Sequence, residues 1–385
     1  MKKNRYLIVC LLCSLLMIQA CTKLFYPVYP IPEYTGSISW ELINKKADWY
    51  GRWDHSAVSF QQKIWIFGGY NPGQVKGDSY LEDVWSSADG ISWDLVTDKA
   101  PWLGRRGHSS IVFNDGSGQA IYLIGGYSVN DESGIRQYNN DVWKSSDGIS
   151  WVEIKTNSHP NSDSRVDWAP RFNHRCEVLD LEGKTYIYLL AGAVIEQDKP
   201  GYLGMKYFSD VWRTGDGVNW EKLNNNDFGH RSEHATTVDN NNGIIYMQGG
   251  TYGIHDGENT HLDKPVYQWQ ELWSSTDGIH WEADNDEQGF PQAYLYRTQH
   301  QLVHFKGDLW GFPGKSSSSI HFSKNPDTYA IWKVDKEGNW IVDSEGPPFM
   351  PMYGYTLTIH NNKIFILGGN RTDFGPGSQV WSGTL

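Results

Sequence analysis

The chain has 385 residues and is acidic, with 45 Asp and Glu against 33 Lys and Arg and a formal net charge of −12 at pH 7. An acidic chain without a basic run is poorly suited to bind nucleic acid or to adhere electrostatically to anionic lipid, since both present phosphate groups. Neutral sugars, peptides and basic proteins are compatible with this charge as partners.

The first twenty residues are predicted to be a signal peptide. Three positive charges within residues 2–5 precede an apolar run, 6–18, which is short for a membrane span. The run ends in Ile-Gln-Ala-Cys at 18–21, which resembles the lipobox of bacterial lipoproteins. The resemblance implies lipid on Cys21 and a location in the bacterial cell envelope, at the periplasmic or surface side of the outer membrane. An ordinary secretory signal with an incidental cysteine is the alternative.

Residues 21–35 are predicted to be an extended tether, since residues 22–32 contain three prolines and three aromatic residues. Loss of Cys10 and Cys13 with the signal, and lipid on Cys21, would leave Cys176 as the single thiol of the mature chain. No intrachain disulfide is then possible, and packing must hold the fold together.

A repeated phrase organises residues 36–385. It reads DVWSSADGISW at 83–93, DVWKSSDGISW at 141–151, DVWRTGDGVNW at 210–220 and ELWSSTDGIHW at 271–281. A weaker copy, IWKVDKEGNW, lies at 331–340, and a truncated copy, QVWSGTL, ends the chain. The first tryptophans of successive copies are 58, 69, 61, 59 and 49 residues apart. A period of this size with strand-forming residues predicts a β-propeller, in which similar blades are arranged around an axis.

Each unit is predicted to contain four short strands. The first follows an Arg-x-x-His pattern, and the second is an apolar run that ends in glycine, such as KIWIFGG at 63–69. The third carries Asp-Val-Trp, and an Asp-Gly turn leads into the fourth. Six glycine-ended strands and six third strands predict a single all-β domain of six blades.

The sixth unit lacks its fourth strand because the chain ends at QVWSGTL. The segment SISWELI at 37–43 matches the fourth strand GISWDLV at 90–96 and has no other part of a unit before it. We therefore expect the N-terminal strand to complete the last blade, which would close the ring and cover an exposed edge. The domain is expected to be monomeric.

The Arg-x-x-His, Gly-Gly and Asp-Val-Trp pattern resembles kelch repeats over roughly residues 36 to 385. The Ser-x-Asp-Gly-x-x-Trp turn is also similar to the Asp-box of sialidase-type propellers, although it is one residue shorter. Both resemblances imply a propeller. Kelch repeats account for more of the pattern, since the Gly-Gly ends have no counterpart in Asp-boxes.

Residues that recur in every unit are expected to support the fold. These repeated residues are Arg52, Arg105, Arg171, Arg231 and Arg297, with His55, His108, His174, His234 and His300. For the arginines there is an alternative, in which a ring of guanidinium groups faces the central channel and binds a carboxylate or sulfate.

Residues that vary between units are candidates for function. Five tryptophans lie in loops that open on one face of a propeller: Trp49, Trp53, Trp102, Trp168 and Trp269. Aromatic rings with polar neighbours suit sugars or the side chains of a protein partner; packing beneath long loops is the alternative. We predict a ligand-binding face that contains Trp53, Arg106, Trp168, Glu233, Trp269 and Tyr353.

Two carboxylates between the repeated arginine and histidine positions, Asp54 and Glu233, are the candidates for acid–base catalysis, with ordinary ion pairs as the alternative. Long loops in the third and fourth units are expected to form one wall of a cup. The longest contains His255 and His261 among several acidic residues, but its spacing is not that of a metal site. Neither a metal nor a cofactor is predicted.

Known propeller enzymes offer three comparisons. Galactose-oxidase-like copper sites use a cysteine cross-linked to tyrosine; Cys176 follows His174 suggestively, but a Tyr-His ligand pair is lacking. Sialidases need an N-terminal arginine motif that this chain lacks. Six-bladed kelch sialic-acid mutarotases match in blade number and export, but only at the level of the repeat.

Two functions follow. The first is an extracytoplasmic, lipid-anchored propeller that binds a glycan or protein partner through its loop face. The alternative is a sugar-processing propeller enzyme, such as a sialic-acid mutarotase-like epimerase. The sequence leaves open whether the chain is an enzyme.

Overall fold

The structure is a computed structural model. It describes residues 36–385 except 74–78, 131–133, 159–165, 200–201, 224–227, 253–266, 269–270, 285–296, 317–329, 336–337, 339, 345–347, 350–351 and 372–373. The regular structure of the described residues is entirely β, as the sequence predicts. Among these same residues, no helix is long and apolar enough to cross a membrane.

Each repeat unit forms a four-stranded antiparallel sheet, and these are named sheets 1 to 6 in chain order. Sheet 1 contains Ser56–Phe60, Lys63–Phe67, Val84–Ser87 and Asp94–Thr97. Sheet 2 contains Ser109–Asn114, Gln119–Asn130, Ile135–Ser145 and Val152–Lys155, with the short strand Arg105–Arg106 added at one end. Sheet 3 contains Arg175–Leu181, Lys184–Lys199, Tyr202–Thr214 and Glu221–Leu223.

The remaining sheets follow the same order. Sheet 4 contains Ala235–Asp239, Ile244–Gln248, Leu272–Ser275 and Glu282–Asp284. Sheet 5 contains Gln301–Phe305, Asp308–Phe312, Ile331–Val334 and Trp340–Ser344. Sheet 6 contains Thr356–His360, Lys363–Leu367, Val380–Thr384 and Ser39–Asn44. Shorter pairs lie outside these sheets: Thr251–Tyr252 with Tyr267–Gln268, Arg297–Thr298 with Lys315–Ser316, and Met352–Tyr353 with Asn370–Arg371 and Gly375–Pro376.

In sheet 6, a strand from the N-terminal end of the described chain pairs with a strand from its C-terminal end. Ser39–Asn44 pairs antiparallel with Val380–Thr384, and Trp40 lies opposite Gly383. The Trp40 ring also contacts Phe349 edge-to-face, with the ring centroids 4.9 Å apart. Both ends of the described chain therefore lie in one sheet.

The hydrophobic core is divided into clusters between successive sheets. Sheets 1 and 2 share one cluster, and the same holds for sheets 2 and 3, 3 and 4, 4 and 5, and 5 and 6. A further cluster joins sheet 6 to sheet 1, where Phe365 and Leu367 pack with Ile64 and Ile66. The second strand of each sheet has a neighbouring sheet on both faces, which explains why its sequence is a continuous apolar run rather than an alternating one.

The repeated arginine, the glycine-ended strand and the Asp-Val-Trp element meet within units one to three. Arg52 is fully buried and binds both carboxylate oxygens of Asp83 through Nη1 and Nη2, at 2.6 and 2.7 Å. Its Nη1 also donates to the Gly68 carbonyl at 2.8 Å, and Trp85 Nε1 donates to Asp83 Oδ2 at 2.7 Å. Equivalent contacts join Arg105 to Asp141 and Arg171 to Asp210. In sheets 1, 2 and 3 the repeated pattern therefore forms a buried, hydrogen-bonded ion pair.

The paired glycines make room for histidines. Gly125 has φ +61°, and a Cβ atom there would lie 2.9 Å from His174 Cε1 in the following sheet. Gly126 has φ +101°, and its Cβ would lie 2.8 Å from His108 Cβ in the same sheet. Both the left-handed backbone and the close approach favour glycine, although Ala191 occupies the first position of the pair in the third unit with φ 52°.

The turn between the third and fourth strands is held by its own side chains. In sheet 1, Ser87 Oγ accepts from the Gly90 amide at 2.8 Å, and Asp89 Oδ1 accepts from the Ile91 amide at 2.8 Å. Trp93 Nε1 donates to the Gly90 carbonyl at 3.0 Å. The turns at 145–151, 214–220 and 275–281 repeat these contacts. The Ser/Thr-x-Asp-Gly-x-x-Trp spacing thus encodes a tight hairpin.

Candidate functional site

One residue of each unit adopts a left-handed backbone just before the first strand, with φ between 52° and 61°. These residues are Asp54, Gly107, Asn173, Glu233, Gln299 and Gly354. In units two to five, the backbone amide of this residue donates to the carbonyl of the one in the preceding unit, as from Gly107 to Asp54 at 2.9 Å and from Gln299 to Glu233 at 2.9 Å. The Asp54 amide donates in turn to the carbonyl of Gly354, from the sixth unit, at 2.9 Å. The six positions therefore converge.

The left-handed backbone at these positions does not require the carboxylate side chains of Asp54 and Glu233. Glycine occupies the equivalent position in units two and six, whereas a non-glycine residue in this conformation costs about 1–3 kcal/mol. A Cβ atom on Gly107 would lie 2.4 Å from Asn173 Oδ1, and one on Gly354 would lie 2.9 Å from Asp54 Oδ1. The glycines therefore leave space for the polar side chains of their neighbours. This arrangement is expected of a ligand-binding site, because the fold alone does not require polar side chains here.

The two candidate carboxylates come together through one amide. Gln299 Nε2 donates to Asp54 Oδ1 and to Glu233 Oε1, each at 3.2 Å. Asn173 Nδ2 adds a longer contact to the same oxygen of Glu233, at 3.4 Å. Both hydrogens of the Gln299 amide are therefore occupied by these carboxylates. The Thr298 side chain also hydrogen-bonds to Glu233.

An arginine and a row of aromatic rings adjoin this pair. The Arg106 guanidinium lies 3.7 Å from Asp54 Oδ2 and 4.9 Å from the centroid of the Tyr70 ring. Tyr70 contacts the half-buried Trp53 edge-to-face and also Tyr80, both with centroids 4.9 Å apart. The row continues through Tyr127, Tyr138 and Phe172. Polar groups therefore lie beside partly accessible apolar ring surface.

A small cavity opens among these residues and continues inward between the first strands. It is lined by Asp54, Glu233 and Gln299, and deeper by Arg175, Gln301 and Tyr355. Its volume is about 40 Å³. One water molecule needs about 10–15 Å³ of such space, so the cavity holds a few waters. A sugar ring would have to bind at its mouth.

Sequence reasoning missed Arg175, which lines the cavity, and Glu177, which interacts with it electrostatically. Arg175 Nε donates to the His234 carbonyl at 2.9 Å, and Thr236 Oγ1 donates to Glu177 Oε1 at 2.6 Å. A comparison between units could have found them. The position after the repeated histidine holds small or neutral residues elsewhere, and the position of Glu177 holds valine, isoleucine or threonine.

Burial perturbs the acids of the site. Burial, together with the nearby charge of Asp54, raises the pKa of Glu233 to about 7. Burial also raises the pKa of Asp54, although Arg106 and Arg175 oppose that shift. For Glu177, burial raises the pKa to about 7 against the opposing hydrogen bond from Thr236. Carboxyls that titrate near neutrality can exchange protons with a bound hydroxyl group.

The other predicted binding residues are placed differently. Trp53 and Tyr353 are half-buried, and the Lys315 ammonium lies 5.4 Å from the centroid of the Tyr353 ring. Trp168 is fully buried and contacts Trp220 edge-to-face at 5.7 Å, so it packs beneath a loop and does not face a ligand. Trp269 lies outside the described residues, as do Cys21 and the predicted loop histidines.

Burial bears on two alternatives raised by the sequence, namely the anion-binding ring of arginines and the copper site with Cys176. The five repeated arginines are at most 4% exposed, and at least three are bound to aspartates, so they do not present a positive ring to the channel. Cys176 is a buried free thiol whose pKa is raised by burial. It packs in the core between sheets 2 and 3. The long loop predicted in unit three is an extended hairpin of sheet 3, and sheet 2 has a similar one, because Lys184–Lys199 and Gln119–Asn130 continue beyond their glycines. Most of the long loop of unit four lies outside the described residues.

Comparison with known proteins supports the fold and little more. No protein-family model matches the chain. The chain is 25% identical over 198 residues to the leucine-zipper-like transcriptional regulator 1 homolog of Drosophila melanogaster. That stretch is 50% of this chain but only 17% of the relative, so the chain spans about a sixth of the relative's length.

Among solved structures, that of YjhT matches with a TM-score of 0.56 and 12% sequence identity, over 89% of this chain and 96% of YjhT. The all-β architecture, the repeated four-stranded antiparallel sheets and this likeness define the class of the protein: it is a β-propeller.

Proposed function

We propose that the propeller has six blades and is closed by its N-terminal strand. Support comes from the hydrophobic cluster between sheets 6 and 1, and from the amide of Gly369, which donates to the Arg52 carbonyl at 2.8 Å. If the proposal is right, deletion of residues 36–44 exposes the edge of sheet 6 and causes aggregation or a large fall in melting temperature. A truncated protein that stays monomeric with an unchanged melting temperature would contradict it.

We further propose that lipid on Cys21 holds the protein at the cell envelope. An acidic domain has little other reason to stay at a membrane, and acylation supplies the missing affinity. In a bacterial host, a radioactive fatty acid should label the wild-type chain, and Cys21→Ser should abolish the label and release the protein. An unlabelled wild-type chain would leave an ordinary secretory signal as the explanation.

For the function itself, we propose that the mouth of the cavity binds a glycan. The observation that carries this proposal is the convergence of Asp54 and Glu233 on the Gln299 amide, beside the half-buried Trp53 ring. Carboxylate oxygens accept hydrogen bonds from hydroxyl groups, while an aromatic ring covers the apolar face of a sugar. A protein partner that inserts a polar side chain at the same mouth is the other ligand this geometry fits.

A glycan array with the purified chain from residue 22 onward tests the proposal. Trp53→Ala should weaken any hit by about 1–3 kcal/mol, which is the usual loss for a stacking aromatic. The matched control is Tyr186→Ala, a half-buried ring near the opposite end of sheet 3, where Arg213 stacks on it at 4.8 Å. The array should show at least one hit, and the control should bind it like wild type. Equal losses in both variants would contradict the assignment of the site.

The placement of Glu233 in the cavity lining beside Asp54 favours an enzyme as the second candidate, and burial raises the pKa of Glu233 to about 7. A carboxyl of this kind can act as the acid or base in epimerisation or another proton transfer on a sugar. In that case, Glu233→Gln or Asp54→Asn should lower turnover by about a hundredfold or more while the ligand still binds. The assay follows anomer interconversion of the array hits by NMR; a rate equal to the uncatalysed rate supports the binding role instead.

A further inference from the structure

A second cavity, here called the side cavity, lies between sheets 4 and 5. It adjoins the turns that join first to second strands, at the end of the sheets opposite the mouth. Its volume is about 330 Å³, within the usual range of small-ligand sites, about 300–1,000 Å³. Its lining includes the Tyr246 ring, the His304 imidazole and three carboxylates, those of Asp239, Asp284 and Asp335. Among the described residues that line it there is neither lysine nor arginine.

The side cavity lies where the turn of the fifth unit departs from the repeat. In the third unit the Asp-Gly turn covers a ring of the neighbouring unit, since a Cβ atom on Gly217 would lie 2.9 Å from Tyr122. The turns of the first, second and fourth units cover equivalent rings. In the fifth unit Val334 replaces the serine or threonine and the glycine comes one position later. A Cβ atom on that glycine, Gly338, would meet nothing within 4 Å. The equivalent ring, that of Tyr246, therefore borders a cavity.

The residue opposite this ring on the third strand also differs in the fourth unit. The paired residue is Lys144 in the second unit, Arg213 in the third and Lys333 in the fifth. In the fourth unit it is Ser274, which pairs with Tyr246. The first and sixth units also have serine here, but their rings are covered by a neighbouring turn. The fourth unit thus combines an uncovered ring with the loss of the paired cation.

Two lysines of the chain show how an ammonium group binds at this position. Lys144 Nζ lies 5.6 Å from the centroid of the Tyr122 ring and 2.5 Å from Asp115 Oδ2. Lys333 Nζ lies 5.0 Å from the centroid of its paired ring and 3.4 Å from Asp308 Oδ2. In both units the ammonium group contacts an aromatic face and a carboxylate together, and each contact is attractive for a cation.

We propose that the side cavity binds an alkylammonium ligand, either a free amine or the lysine side chain of a peptide. The ligand supplies from outside the cation that the second and fifth units carry in their own chain. Its ammonium group lies against the Tyr246 ring and near Asp239, and its aliphatic stem packs on the apolar part of the lining, which includes Leu272 and Leu309. This site is separate from the mouth, so the inference does not depend on the proposed glycan-binding function.

The carboxylate nearest the ring is held in position by its neighbours. Asn242 Nδ2 donates to Asp239 Oδ2 at 2.7 Å, and His304 Nδ1 lies 3.4 Å from Asp239 Oδ1. A fixed carboxylate is favourable for binding, because less side-chain freedom is lost when the ligand arrives. Asp284 and Asp335 add negative charge to the same cavity, which favours a cation over a neutral ligand of equal shape.

The test is a calorimetric titration of the purified protein at neutral pH and low salt. The probes are Nα-acetyl-lysine methylamide, 1-pentylamine and Nα-acetyl-norleucine methylamide, which lacks only the ammonium group of the lysine derivative. At least one amine should bind about tenfold or more tightly than the norleucine derivative, and added salt should reduce this difference. Tighter binding of the lysine derivative identifies a peptide as the source of the ammonium group, and tighter binding of pentylamine a free amine. If neither amine binds more tightly than the norleucine derivative, the inference is wrong.

A variant that fills the site tests its location. Ser274→Lys supplies the cation that the second and fifth units carry, so it should weaken amine binding about tenfold or more. Ile91→Lys is the matched control, because it adds the same charge at a residue of sheet 1 that is 51% exposed, and it should bind amines like wild type. Tyr246→Leu removes the ring and provides a second test if Ser274→Lys does not fold. Amine affinity equal to that of the control in either folded variant would overturn the assignment.

Discussion

The buried ion pair of sheet 2 supports the sharpest prediction about stability. Arg105 and Asp141 form two hydrogen bonds of 2.8 Å, and their side chains are 2% and 5% exposed. Trp143 Nε1 donates to the same carboxylate at 2.9 Å. Asp141→Ala would leave the guanidinium buried without a counter-charge, which costs about 3–5 kcal/mol. The lost indole hydrogen bond would add about 1 kcal/mol. We expect a fall of this size in the free energy of unfolding, measured by urea titration with tryptophan fluorescence.

A partly exposed ion pair supplies the control for that measurement. Lys333 and Asp308 lie 3.4 Å apart with side chains 21% and 24% exposed. Because water screens such a pair, Asp308→Ala should cost no more than about 1 kcal/mol. If Asp141→Ala destabilises the protein no more than Asp308→Ala does, the Arg–Asp pair is not what holds each unit together, and the explanation of the repeat is wrong.

Further predictions distinguish a buried packing residue, a residue that contacts the ligand and a carboxyl group that titrates. Trp168→Ala should cost about 3–5 kcal/mol of stability, whereas Trp53→Ala should cost little; similar losses in urea titrations would refute this distinction. For Glu177, the folded pKa of about 7 exceeds the usual pKa of about 4.5, so the folded state holds its proton more tightly and loses stability as pH rises through this window. Glu177→Gln should therefore become more stable relative to wild type as pH rises from 4.5 to 7, with no further change above 7. A difference that is flat across this range would show that Glu177 is not perturbed.

The repeat made much of the fold predictable. Asp-Val-Trp and Asp-Gly stand at fixed spacing because one carboxylate binds an arginine and an indole, and because the turn closes on its own side chains. The match of SISWELI to the other fourth strands predicted the pairing of Ser39–Asn44 with Val380–Thr384. Such contacts form within one unit, so the residues that make them recur from copy to copy of the repeat.

The site was only partly predictable because it depends on contacts between units. Asp54 and Glu233 were identified by their variation at one repeated position, but the bridging role of Gln299 requires side chains from three units to meet. Trp168 was misassigned because its loop position gives no sign that the ring is covered by Trp220. Arg175 was overlooked because it lies inside a strand, where a charged residue is unusual unless it lines a cavity.

The central claim, that ligands bind where Asp54 and Glu233 converge, is tested most directly by a crystal structure with a glycan hit from the array. The sugar should lie at the mouth, with hydroxyl groups within about 3 Å of the two carboxylates and one face against Trp53. A sugar bound on the outer strands or at the opposite end of the sheets, with the mouth occupied only by water, would contradict the claim.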